Sequence, residues 1–142
     1  VLFRSYYNIP LSQINNIKVG AGWTTEEGVV LAHEELVTPA DPPRSYAYCS
    51  DTRYLPDLHK RIAGVSTLYH ESTYDDSNID RAQLYYHSTA GQAAQVARDA
   101  KVGKLLLGHF SARHYNEEAL LQDARKVFPE SFLTNEGLTF DV

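Results

Sequence analysis

The chain has 142 residues, 43% hydrophobic and 22% charged, enough for one globular domain with a core and too few for two ordinary ones. Lysine and arginine number 13 against 18 aspartates and glutamates, a formal net charge of −5, which argues against a broad basic face for wrapping nucleic acid and leaves room for a locally basic site. Apolar runs stop after a few residues, as at Leu105–Leu107, far below the ~20 that span a bilayer. The single cysteine, Cys49, excludes an internal disulfide and a thiolate zinc cluster and is compatible with a reducing, cytoplasmic setting.

The sequence contains no methionine and opens Val-Leu-Phe-Arg-Ser-Tyr-Tyr without the layout of a signal peptide, so it reads as a fragment of a longer protein. Residues 1–45 are expected to form a strand-rich segment. Gln13–Val19 alternates, Gly20 and Gly22 punctuate, Gly28-Val29-Val30-Leu31 follows a charged turn, and Pro39-Ala40-Asp41-Pro42-Pro43 forces an extended connector. From residue 46 to 142 the pattern becomes an alternation of strand and helix. Tyr46–Cys49 and Val65–Tyr69 are apolar runs, and Thr89–Val102 keeps Ala90, Ala93, Ala94, Ala97 and Ala100 on helical spacing behind a Ser88 or Thr89 N-cap, with Gly103 just past the end. Lys104–Leu107 then reads as a buried strand, Glu117–Phe128 as a second amphipathic helix stopped by Pro129, and Leu138–Phe140 as a closing strand. The fold class is therefore α/β.

Three apolar runs end in ionisable residues: Ser50-Asp51-Thr52, His70-Glu71-Ser72-Thr73 and Gly108-His109-Phe110-Ser111. Ligands of α/β sheets bind outside the carboxyl ends of the strands, so Asp51, Glu71 and His109 are expected on one rim. His87 lies two residues before the alanine-rich helix, whose N-terminus with Ser88 and Thr89 could favour an anion such as phosphate. Aspartate and histidine on one rim suit a divalent metal such as zinc, but two ligands fall short of the three or so that a catalytic zinc takes from protein. The bland alternatives are a turn aspartate at Asp51 and a backbone-bonded histidine at His109. His33 and His59 are expected in solvent, and Cys49 as a small buried hydrophobe. Tyr85 and Tyr86 are left open between base stacking and core packing.

In this order Ser50-Asp51-Thr52, His70-Glu71-Ser72-Thr73, His87-Ser88-Thr89-Ala90 and His109-Phe110-Ser111-Ala112-Arg113 resemble the C-terminal half of the ribonuclease Z family, tRNA 3′-processing endonucleases of the metallo-β-lactamase superfamily. The intervals agree as well, 19 residues from Asp51 to His70 and 22 from His87 to His109. The match also takes in Pro43-Arg44-Ser45-Tyr46 and the residues from Asn135 to Val142. Ser72 stands where the family has Ala and His114 where it has Tyr, and the family's H-x-H-x-D-H motif is absent.

The resemblance implies the C-terminal half of a metallo-β-lactamase-type αββα sandwich and a centre of two zinc ions. It assigns Asp51 and His109 as metal ligands and His87 as the proton shuttle oriented by Glu71. Ser111 and Arg113 face the substrate phosphate. The implied partners are precursor tRNA, the missing N-terminal half and a second copy in a homodimer, with no membrane, and the isolated chain is expected to be inactive. Two alternatives stand beside this: a superfamily phosphodiesterase or esterase with a small substrate, and a non-catalytic fragment that acts only by pairing with the missing half.

Overall fold

The structure is a computed structural model that describes residues 4–112 and 117–142. Contacts divide it into two compact units, one ending at Pro43 and one beginning at Arg44. The first unit holds a 3-10 turn at Leu11–Gln13, α1 (Ile14–Lys18), β1 (Trp23–Thr24) paired antiparallel with β2 (Val30–Leu31), and α2 (His33–Leu36). Ile9, Ile17, Leu31 and Leu36 form its small core, with Tyr7, Trp23 and Val37 against them. The strand expected over Gln13–Val19 is helical instead. Leu11, Ile14 and Ile17 recur every third residue after Pro10, which suits one face of a turn, and the last apolar residue, Val19, is left 86% exposed.

The second unit is a four-stranded parallel sheet in chain order: β3 (Tyr46–Cys49), β4 (Thr67–Glu71), β5 (Lys104–Gly108) and β6 (Ser131–Leu133). The crossovers carry α3 (Leu58–Arg61), then α4 (Ile79–Leu84) and α5 (Ala90–Ala100), then α6 (Glu117–Val127). Parallel strands need such crossovers, which is why strand and helix alternate in the sequence. The alanines of α5 are all buried, and their small side chains let the helix lie close to Leu68, Leu105 and Leu107 of the sheet and to Leu120, Leu121 and Ala124 of α6. The opposite face of the sheet is aromatic and open at β3. Tyr46 and Tyr48 on β3 are 48% and 64% exposed, and Tyr48 stacks on Tyr69 of β4 at 4.6 Å and 14°.

Thr89 caps α5 with a reciprocal pair: Gln92 N–H donates to Thr89 Oγ1 at 3.2 Å and Thr89 N–H to Gln92 Oε1 at 3.0 Å. The left-handed residue that ends α5 is Lys101 (φ 54°), not Gly103. Two expectations at the end of the chain also change. The last strand is Ser131–Leu133, paired with β5, while Leu138–Phe140 lies outside any strand and leaves Leu138 57% exposed. Three residues without flanking periodicity carry too little pattern to separate one from the other.

Candidate functional site

The parallel register aligns the strand ends: Cys49 sits opposite His70, and Glu71 opposite Gly108. The next residues of β3 and β5 therefore emerge together, and Asp51 Oδ1 lies 2.8 Å from His109 Nε2. Both residues leave their strands in the left-handed region, at φ 49° for Asp51 and 57° for His109. A non-glycine residue there costs of order 1–3 kcal/mol, strain that concentrates at functional sites. Gly108 has no room for a side chain, because a Cβ would run into the Tyr69 ring.

His87 joins them from the start of α5. One ligand atom from each of Asp51, His87 and His109 falls within 4.8 Å of the others, a group of oxygen and nitrogen donors that could hold a metal ion. The His87 and His109 rings lie 5.4 Å apart at 29°. Sequence reasoning named Asp51 and His109 as metal donors and His87 as the proton shuttle; the geometry brings all three into one cluster. His87 also lines a 630 Å³ cleft together with Tyr74, Arg81, Tyr85 and Ser111.

Glu71 sits behind this cluster, fully buried. Its Oε1 accepts from His87 Nδ1–H at 2.8 Å and Thr52 N–H at 3.1 Å; its Oε2 accepts from Thr73 N–H at 3.0 Å and Thr73 Oγ1–H at 2.8 Å. Glu71 thus reaches His87, and its β4 neighbour His70 does not. His70 points to the helix side, with Nδ1 2.7 Å from the Glu71 carbonyl and Nε2 buried without a hydrogen-bond partner. Burial holds its imidazole below the ordinary histidine range, partly opposed by its bond to Glu71.

Thr73 was missed as a functional candidate although it closes the quoted His70–Thr73 motif. Its hydroxyl lies 2.9 Å from His109 Nδ1 and 3.2 Å from His87 Nδ1 besides its bond to Glu71. Tyr69 was missed as well. It lines a second cleft with His109 and Ser111, and burial, with Tyr48, Tyr46, Asp51 and Glu71 adding, pushes its hydroxyl above the ordinary tyrosine value.

The N-terminus of α5 is not an anion site. Its first free N–H groups are already taken: Ala90 donates to Tyr74 O, Gly91 to Asp76 Oδ1 at 2.9 Å and Gln92 to Thr89. Ser88 Oγ donates inward to Thr52 O at 2.7 Å. Tyr85 and Tyr86 are 55% and 66% exposed, so neither packs in the core. Cys49 is half-buried against the core, and burial pushes its thiol up, away from a reactive thiolate. His59 is half-buried on the Pro56 carbonyl at 2.6 Å, and His33 is half-buried with its Nδ1 lacking a partner, so neither is simply solvated. Arg113, expected at the substrate phosphate, and His114 lie outside the described residues.

Comparison with known proteins identifies the segment. Curated proteins named ribonuclease Z are 46% identical over 133 residues in Bacteroides fragilis strain YCH46, 45% over 137 in Phocaeicola vulgatus and 46% over 136 in Cytophaga hutchinsonii. These alignments take in 94–96% of the chain and 44% of each relative. The chain matches the C-terminal part of these ribonucleases Z. It spans a little under half the length of these relatives, and no protein-family model matches it. Solved structures agree on the fold. The metallo-β-lactamase fold protein YhfI of Bacillus subtilis superposes with a TM-score of 0.64 at 19% identity over 69% of the chain and 40% of its own. A long-form RNase Z from yeast gives 0.50 at 23% identity, over 63% of the chain and 12% of its own. The α/β unit is thus part of a metallo-β-lactamase fold.

Among the described residues, no helix is long and apolar enough to cross a membrane.

Proposed function

We infer that this chain is the C-terminal part of a zinc-dependent endoribonuclease that removes 3′ trailers from tRNA precursors by hydrolysing a phosphodiester bond. The observation that supports it is the convergence of Asp51, His87 and His109 in front of buried Glu71, in a chain 42–47% identical to curated ribonucleases Z. The donor set fits a metal on its own terms. If His109 Nδ1–H donates to Thr73, the neutral ring offers a lone pair at Nε2 to an Asp51 oxygen 2.8 Å away, two acceptors that only a proton or a cation reconciles.

Asp51 and His109 would hold zinc, with the remaining ligands supplied by the rest of the longer protein. Zinc bound there supplies Lewis acidity at the phosphate and lowers the pKa of a coordinated water. The protein's own part is proton delivery. Glu71 fixes His87 with Nδ1–H toward the carboxylate, so that Nε2 is the nitrogen free to act on substrate. The leaving group is a ribose 3′-oxygen, poor unless protonated, and a positioned histidine contributes about 10²–10⁴-fold to such a step. Ser111, which lines the His87 cleft, and Arg113 are assigned to the substrate phosphate.

The aromatic sheet face of Tyr46, Tyr48 and Tyr69 is read as the surface on which the remaining half of the longer chain packs, in a cytoplasmic homodimer. The chain by itself is expected to be inactive, because its described donors fall short of two complete metal sites. The test is 3′-trailer release from a precursor tRNA, with a small phosphodiester as the second substrate. The longer protein should cleave the precursor with zinc and lose this in Asp51→Ala. Cleavage of the small diester alone would favour the small-substrate reading.

A further inference from the structure

We propose that Thr73 is the positioning residue that fixes which nitrogen of His109 carries a proton, and so presents His109 Nε2 as a metal donor. The inference rests on reading Asp51 and His109 as ligands and adds the group that prepares one of them. It follows from counting protons around one hydroxyl.

Thr73 Oγ1 lies 2.8 Å from Glu71 Oε2, 2.9 Å from His109 Nδ1, 3.0 Å from the His109 carbonyl and 3.2 Å from His87 Nδ1. A hydroxyl has one proton to give and two lone pairs to offer. The carboxylate oxygen accepts only, is the shortest of these contacts, and bonds to charged acceptors are the stronger ones, so the Thr73 proton goes to Glu71. The hydroxyl then faces His109 with a lone pair, and His109 must meet it with Nδ1–H. The proton on Nδ1 leaves Nε2 bare in the neutral ring, on the side where Asp51 lies 2.8 Å away.

One buried carboxylate therefore sets two histidines. Glu71 Oε1 orients His87 directly, and Glu71 Oε2 orients His109 through Thr73. Thr73 is itself pinned for this purpose: it is 6% exposed and its own N–H donates to Glu71 Oε2. The arrangement depends on the parallel pairing of β4 and β5, which brings residues 73 and 109 together across 36 positions of sequence. Metal-bound histidines characteristically give their other ring N–H to such a partner, and losing the partner costs about 10–100-fold in metal affinity.

The experiment is nitrogen-15 NMR of the histidine rings of the full chain at about pH 8, above the ordinary histidine range, in wild type, Thr73→Val and Thr73→Ser, followed by zinc titration of each. Wild-type His109 should be protonated at Nδ1. Thr73→Val, which keeps the shape and removes the hydroxyl, should release His109 toward Nε2–H while His87 keeps Nδ1–H on Glu71. Thr73→Ser should restore the wild-type signals. A wild-type His109 with bare Nδ1 and Nε2–H overturns the proposal whether or not a variant folds, and so does a folded Thr73→Val with His109 unchanged. Where zinc binds, Thr73→Val should weaken it about 10–100-fold with Thr73→Ser close to wild type; equal affinity in all three overturns the proposal. Nδ1–H on His109 with no zinc uptake upholds Thr73's role on its own, and only a longer protein that carries the remaining ligands and still takes up no zinc counts against the metal reading.

Discussion

Removing the Glu71 carboxylate tests the buried network by its energetics. Four donors converge on this fully buried side chain: Thr52 N–H, Thr73 N–H, Thr73 Oγ1–H and His87 Nδ1–H. In Glu71→Ala the hydroxyl can turn to the His109 carbonyl at 3.0 Å, and His87, partly exposed, can reach water. The two backbone N–H groups are fixed by the chain and cannot turn to another acceptor. Each buried donor left without a partner costs about 1–3 kcal/mol, so the expected loss is about 2–6 kcal/mol, a large share of the ~5–15 kcal/mol of a typical domain. Glu71→Gln keeps one acceptor oxygen and turns an amide N–H₂ toward one donor pair, which should cost about half as much. Urea unfolding followed by circular dichroism measures both. A Glu71→Ala chain within about 0.5 kcal/mol of wild type, the range of ordinary surface substitutions, would refute the reasoning.

Other expectations concern separate parts of the molecule. His70 is held neutral by burial, so the unfolded chain takes up a proton below its ordinary value of 6.5 while the folded chain does not. Stability should therefore fall as pH drops below that value, by up to about 1.4 kcal/mol per pH unit until the depressed folded value is reached, and His70→Gln should remove this contribution from unfolding curves taken at pH 5 to 7. Leu105→Ala, in the centre of the sheet and fully buried, should cost about 2–5 kcal/mol in the same assay, with a neutral effect contradicting the packed core. Thr89→Ala should cost about 1 kcal/mol by opening the α5 cap, and a Thr89→Ser chain should recover most of it.

The parts of this fold legible in the sequence are those with long periodic patterns. Five alanines on helical spacing mark α5, and Glu117–Val127 shows the same rhythm because one face packs on α5 and the sheet. Short elements carry no such signal: α4 buries only Ala82, and β6 has three residues of which Ser131 is the fully buried one. Asp51, Glu71 and His109 were readable because each follows an apolar run, and parallel pairing in chain order puts such ends on one rim. The place of His87 beside Asp51 and His109, and that of Thr73, were not readable. They depend on distances among side chains 14 to 36 positions apart, which strand register and the left-handed turns at Asp51 and His109 decide.

The most direct test of the account is the steady-state kinetics of His87→Ala in the longer protein, on a precursor tRNA. On the proposed mechanism His87, held by Glu71, protonates the leaving oxygen in the transition state, so kcat should fall by about 10²–10⁴-fold with KM little changed. A raised KM with kcat intact would make His87 a binding group and contradict the mechanism.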